Sequence, residues 1–242
     1  MPETIADLIR ELEAQPLESS GHLYHPLPFP EFAHLTTSSD ASQAARKWRL
    51  VERGLKIAFA DGMAGKRVLD VGANAGYYSF VLAQAGASVT AFEPDTRYAR
   101  LGAVLAREKK LAVDWRPVAF SADLVSSQSF DVALMMSVFQ WMAEGGERLA
   151  EASASLRAIS RMSRYLFFEL GFNTGTSSLQ TSKRNHYAEV VALLRASTVY
   201  TRFLLLGRLT PWGPAPRYLV LCSNDAHCDD AFYRRLLRAI RL

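Results

Sequence analysis

Cysteine is almost missing from this sequence. Cys222 and Cys228 are its whole supply. Two thiols cannot build a disulfide framework, and they lack the partners of a zinc site, so no metal is expected. Reduced thiols, and with them a cytoplasmic setting, are the expectation. Also missing is any run near the ~20 uninterrupted apolar residues of a bilayer-spanning helix, so membrane insertion is not expected. The opening stretch, "MPETIADLIRELEAQP", carries acids where a secretory leader carries a basic start and an apolar core. Lysine is scarce: of 28 basic residues 22 are arginine and 6 lysine, against 24 acids. The net charge of +4 permits an anionic partner without demanding one. No internal repeat or low-complexity tract interrupts the chain. What remains is ordinary globular material, 242 residues with 49% hydrophobic and 21% charged. That suits one domain, with an appendage, able to bury most of its apolar surface.

Ile5, Leu8, Ile9 and Leu12 fall on one face of a short helix that Pro16 stops. The next stretch, "SGHLYHPLPFPEFAHLTTSSD", is rich in Pro, His and aromatics and has no periodicity, which reads as ordered but irregular chain. Asp40 with Gln43 resembles a capping box for a helix striped by Trp48, Val51, Leu55 and Phe59. From Arg67 strands and helices alternate. "RVLDV", "ASVTAFEPD", "AVDWRPV", "FDVALMMS" and "RYLFFEL" read as strands, with helices between most of them. Such alternation predicts right-handed crossovers and a parallel sheet covered on both faces. After the helix "YAEVVALLRAS", the strands "VYTRFLLLGRL" and "RYLVLCS" follow one another with only "TPWGPAP" between them. That predicts an antiparallel end to the sheet. A helix opened by Asp229 and Asp230 carries Arg234, Arg235, Arg238 and Arg241.

The turn after the first strand decides the ligand class. Asp70, Gly72, Asn74 and Gly76 recur at every second residue. A dinucleotide fold needs G-x-G-x-x-G around its pyrophosphate, and its third glycine position is Tyr77 here. A phosphate-cradling P-loop needs a lysine that does not follow, so neither NAD nor ATP fits. The turn suits a ligand that approaches the backbone closely and has no phosphate there. Glu93 ends the second strand, where an acid meets a ribose diol in nucleotide-binding folds. With Asp70 it favours a ligand bearing a ribose, an ammonium and a sulfonium, and it repels a phosphate.

On these residues the chain resembles the class I S-adenosylmethionine-dependent methyltransferases. "VLDVGANAGYYSFVLAQAGASVTAFEPD" is similar to their first two motifs, with Asn74 in place of the middle glycine. Asparagine tolerates left-handed backbone angles better than most residues, so the turn can survive. "FDVALMMSVFQWM" and "RYLFFELG" resemble the fourth and fifth strands, and the resemblance covers roughly residues 65–223. It implies an α/β fold, a Rossmann-like doubly wound sheet of seven strands, mostly parallel with the last antiparallel, behind an N-terminal helical extension. Residues 1–64 would form the helical and acceptor or lid segment, and 65–242 the cofactor-binding domain. S-adenosyl-L-methionine would be the cofactor. Gly72 and Gly76 would let the backbone approach it, Asp70 would hold its ammonium, and Glu93 its ribose. Ala119 and Phe120 would flank the adenine, with Phe120 equally readable as core. Ser137 would face the methyl-donor pocket or simply end its strand.

Acceptor chemistry is less defined. His25, His34 and His186, the last beside Tyr187, are the candidate proton acceptors, since their ordinary pKa values lie near neutrality. "GHLYHPLPFPEFAHLTTSS" and "GFNTGTSSLQTSKRNHY" lie outside the cofactor core and offer acceptor contacts. "LYHPLPFPEF" through "RKWRLV", with Lys47 and Trp48, looks like the lead-in of the tRNA wobble-uridine carboxymethyltransferase group. "FFELG" followed by "RYLVLCSN" is similar to methyltransferases that cap surface polysaccharides. Tyr24, Phe29, Phe32, Trp141 and Phe172 suit stacking on a sugar or a planar molecule. A small-molecule or glycan acceptor is the favoured expectation. A tRNA acceptor is second, and a catalytically degenerate interaction module is the alternative of another class.

Overall fold

The computed structural model describes residues 4–14, 23, 25–171, 186–210, 216–227 and 229–240. Along them run α1 (Ile5–Ala14), α2 (Ser38–Ala58), β1 (Arg67–Val71), α3 (Tyr77–Gln84), β2 (Ser88–Phe92), α4 (Thr96–Glu108) and β3 (Val113–Arg116). Then come β4 (Phe130–Met136), α5 (Phe139–Met142), α6 (Leu149–Met162), β5 (Ser163–Leu170), α7 (His186–Ser197), β6 (Arg202–Leu209), β7 (Arg217–Ser223) and α8 (Asp230–Ile240). The seven strands form one sheet in the order β3-β2-β1-β4-β5-β7-β6. β1 with β2, β2 with β3 and β4 with β5 pair in parallel, while β7 runs antiparallel to both β5 and β6. The expected Rossmann-like sheet with an antiparallel end is therefore present, behind N-terminal helices. No described helix is long and apolar enough to cross a membrane. Cys222 is a free thiol buried in β7, pushed up in pKa by that burial. Cys228 lies outside the described residues.

Two helix starts show how short polar residues set boundaries. Thr4 and Asp7 cap α1 reciprocally, the Thr4 hydroxyl donating to Asp7 at 2.6 Å and accepting from the Asp7 N–H at 3.2 Å. α2 starts earlier than the Asp40–Gln43 box expected from the sequence. Thr37 is the capping residue: its hydroxyl accepts from the Asp40 N–H at 3.1 Å and donates to the Asp40 carboxylate at 2.7 Å. Asp40 thus occupies the acid position of the box instead of the cap. The fourth strand ends within one residue of the expected "FDVALMMS", and "FQWM" after it forms α5.

The chain divides into two compact units, Met1–Trp48 with Met63–Phe120, and Arg49–Gly62 with Ser121–Leu242. In the first, Leu8, Leu12, Leu27, Phe29 and Leu35 share a core with Phe80, Leu101 and Leu105. The irregular stretch around the prolines is a strap on that core. Leu23 N–H donates to Leu35 O at 3.0 Å, and the Thr36 hydroxyl donates to Leu23 O at 2.8 Å. Phe29 packs 5.2 Å from Phe80, ring centre to ring centre, and Lys109 pairs with Glu31 beside it.

In the second unit, β5 carries the fully buried Tyr165, Phe167 and Phe168. The rear half of α2 lies against it, with Gly54 as the point of approach. A methyl at Gly54 would overlap Phe167 and stand 2.8 Å from Leu206. Gly54→Ala gains helix propensity of about 1 kcal/mol, but overpacking of this kind costs about 1–3 kcal/mol. The expected outcome is a melting temperature lower by several degrees in a thermal scan; an equal or higher one would show that the core yields freely.

Candidate functional site

The turn between β1 and α3 is bent back onto the end of β2. Gly72 N–H and Ala73 N–H both donate to Phe92 O, at 2.8 and 3.0 Å. Gly72, Asn74 and Gly76 have φ of 72°, 53° and 91°, so the expected left-handed asparagine is what the turn uses. Gly76 also has no room for a side chain. A Cβ there would meet Phe80 and Trp115 at 2.8 Å, which ties the turn to the face of α3.

One carboxylate organises the rest. Glu93 accepts from Asn74 N–H at 2.7 Å with one oxygen and from Asp95 N–H at 2.9 Å with the other. Asp95 in turn caps α4 by accepting from Arg97 N–H at 2.9 Å. Glu93 is buried, and burial pushes its pKa up against the lowering effect of those two N–H groups. Asp70 is buried too, and accepts from the Ser79 hydroxyl at 2.6 Å. Its pKa is pushed up to about 6, first by burial and further by the charge of Glu93, against the Ser79 hydrogen bond. The Asn74 side-chain oxygen is buried with no hydrogen-bond partner among the described residues. Two desolvated carboxylates and one orphaned acceptor thus surround a glycine turn. Such a set is complementary to a cation and to hydroxyl donors.

The other residues singled out from the sequence fall in several places. Ala119 is exposed, whereas Phe120 is buried edge-on against Phe92, 5.3 Å between ring centres. His25 stands 5.8 Å from the Tyr78 ring and 6.3 Å from Tyr77, and Trp48 lies 6.4 Å from Tyr78. His34 is exposed at the end of a short 3₁₀ turn, and Lys47 is buried on the inner face of α2. His186 opens α7. Tyr187 packs 5.4 Å from Tyr218, and burial raises its phenol. Tyr24 and residues 172–185 lie outside the described residues.

Ser137, in the second unit, belongs to a cluster that the sequence did not reveal. It sits at φ 61° and donates to the Glu169 carboxylate at 2.6 Å while accepting from Arg217 at 2.8 Å. Gln140 donates to Ser137 O at 2.8 Å. Glu169, Arg217 and Gln140 are all buried. The one sequence signal for them was an acid in an otherwise apolar strand, "FFEL", since a buried acid needs a partner.

The raised pKa of Asp70 makes stability depend on pH. Between about pH 4 and pH 6 the folded chain holds a proton that the unfolded chain has lost, so stability falls as pH rises through that window. Asp70→Asn removes the ionisation and keeps an acceptor for Ser79. At pH 7 its melting temperature is expected to exceed that of the parent by roughly 5–11 °C, a figure that follows from about two pK units. The two should converge near pH 4. Parallel curves across the range would show that Asp70 does not titrate in this window.

Residues 69–163 match the methyltransferase domain family model. A ubiquinone biosynthesis O-methyltransferase of Methylobacterium sp. (strain 4-46) is 30% identical over 95 residues, 39% of this chain and 38% of that protein. Its counterpart in Agrobacterium fabrum is 35% identical over 81 residues, 34% of this chain and 32% of that protein. The matched stretch thus spans less than two-fifths of either relative. Among solved structures, the bifunctional kinase-methyltransferase WbdD superposes with a TM-score of 0.70 at 19% identity, over 91% of this chain and 46% of that one. Magnesium protoporphyrin IX methyltransferase from Synechocystis PCC 6803, with S-adenosylmethionine bound, gives 0.55 at 17% identity, over 93% and 99%. Residues 69–163 are thus similar to methyltransferase domains, and the fold is similar to that of solved methyltransferases.

Proposed function

We propose that this chain binds S-adenosylmethionine at the turn of residues 70–76 and transfers its methyl group to a small-molecule or glycan acceptor. The observation that carries this reading is the pair of buried carboxylates, Asp70 and Glu93, on either side of a left-handed glycine turn with the Asn74 oxygen unsatisfied. Asp70 and Asn74 hold the ammonium of the cofactor, Glu93 takes the ribose hydroxyls, and Gly72 and Gly76 let the backbone come close. Phe120 either borders the adenine or stays in the core. When bound, the cofactor supplies a methyl group already activated on a sulfonium, so positioning can provide most of the acceleration.

On the acceptor side, Tyr77, Tyr78, Trp48 and His25 form an aromatic cluster next to Gly76. A flat ring or a sugar face would stack there. His25 is the residue placed to take a proton from a hydroxyl acceptor; an acceptor that is already nucleophilic needs no base. We assign residues 1–64 to the acceptor segment and 65–242 to the methyl-transfer domain. Packing of Leu23 and residues 25–36 favours a fixed strap over a hinged lid. Burial of Lys47 weakens the tRNA reading, because half of its supporting pair is withdrawn from a polyanion.

Titration calorimetry with S-adenosylmethionine and with NAD tests the binding claim. Binding of the first alone is expected; equal affinity, or none, would overturn the claim, and none would favour the interaction module. Glu93→Gln should weaken S-adenosylmethionine about tenfold or more, since hydrogen bonds to a charged group contribute about 1.5–3 kcal/mol each. Its far-ultraviolet circular dichroism should match the parent. An unchanged dissociation constant would remove Glu93 from the ribose.

Incubation with metabolite extracts and labelled cofactor, read by mass spectrometry, identifies the acceptor. With that acceptor, His25→Asn should lower turnover and flatten its pH profile near neutrality while leaving cofactor affinity intact. An unaltered profile would mean His25 is not the base.

A further inference from the structure

The second unit contains a cavity of about 460 Å³ lined by Lys56, Phe59, Ala231, Arg234, Arg235 and Arg238 among others. Four cations face it from two helices, and none of the residues lining it is an acid. Arg235 is fixed there, donating through Nε to Ile57 O at 2.6 Å in the last turn of α2. Lys56 has an exposed partner one turn back, Glu52 at 3.0 Å. Arg234 and Arg238 are both exposed on α8.

The ordinary explanation for arginines late in a helix is the helix dipole, which acts within the last turn. That accounts for Arg238, but Arg234 and Arg235 sit in the middle of α8. Arg234 and Arg238 are moreover one turn apart on one face, where like charges repel. An anion entering between them relieves that repulsion. A carboxylate has only two oxygens to offer. A phosphate presents three outer oxygens and up to two charges, which matches guanidinium forks from three arginines plus a lysine. The buried Phe59 ring, Ala60 and Ala231 supply an apolar floor, and the volume lies in the range of small-molecule sites.

The cavity belongs to the amino end of β5. Phe59 packs 5.3 Å from Tyr165, and Phe232 of α8 lies 6.5 Å from the same ring. Glu169, with Ser137 and Arg217, sits four residues further along the strand, about 13 Å away at the usual strand rise. Ligands of open α/β sheets bind at the carboxyl ends of the strands. An occupant at the amino end is thus a separate ligand and not the methyl acceptor.

We propose that Lys56, Arg234, Arg235 and Arg238 form a binding site for a phosphate monoester or diphosphate group, carried by a soluble molecule or by a lipid headgroup. The test uses the full chain. Thermal melts with inorganic phosphate or pyrophosphate, against chloride at equal ionic strength, report a soluble ligand. Sedimentation with vesicles of phosphatidic acid, a phosphate monoester, in phosphatidylcholine, against phosphatidylcholine alone, reports a headgroup. The expected result is saturable stabilisation by phosphate or pyrophosphate, or selective capture by the anionic vesicles. Either response should weaken about tenfold in Arg234→Gln/Arg238→Gln. Both positions are exposed, so that variant should melt like the parent without phosphate and keep its affinity for S-adenosylmethionine. The proposal fails if phosphate and pyrophosphate act no differently from chloride and neither vesicle is bound. It fails equally if the responses survive in the variant, or if RNA alone binds through these arginines.

Discussion

Glu93 spends both of its carboxylate oxygens on the main chain, and the arrangement around the turn depends on it. One oxygen holds Asn74, which closes the turn after β1; the other holds Asp95, which opens α4. The register of β1 on β2, with Asp70 opposite Ala91 and Val71 opposite Phe92, brings the two strand ends level so that one side chain can reach both. A longer or shorter turn would break that reach. The left-handed backbone at Gly72, Asn74 and Gly76 follows from the need to fold five residues back over the end of β2.

The same bond pattern creates an electrostatic imbalance. Asp70 lies below the turn with one hydroxyl for company and a second carboxylate nearby, so its own ionisation opposes stability near neutral pH. A fold tolerates such a group where something else returns the free energy, and a bound cation does that. The cluster of Ser137, Glu169 and Arg217 answers the same problem differently. There the buried carboxylate has its cation inside the chain, and Ser137 lies between the two.

Much of this could be read from the sequence, because much of it is local. β1 runs from Arg67 to Val71 as expected, since Gly72 stops it abruptly. The motif residues Asp70, Gly72, Asn74 and Gly76 lie within one turn of chain, and Glu93 falls at the end of the next strand. The start of α2 was harder, because "TTSSD" offers five residues able to cap and only the geometry selects Thr37. α5 has four residues, too few for a helical period to show. The meeting of Glu169 with Arg217 was invisible for another reason. They are neighbours because β7 runs antiparallel beside β5, placing Leu170 opposite Tyr218, and no spacing along the chain encodes that.

The place of β7 between β5 and β6 also dictates an order of assembly. β6 is made first, yet it pairs with β7 and has no bond to β5. While the chain is being synthesised, the outer side of β5 therefore stays an open edge until residues 217–223 arrive. An open apolar edge of this kind is a template for wrong pairing. Completion of this end of the sheet is a single late event in which a finished hairpin docks, and aggregation in the cell would be set by how quickly that docking follows emergence from the ribosome.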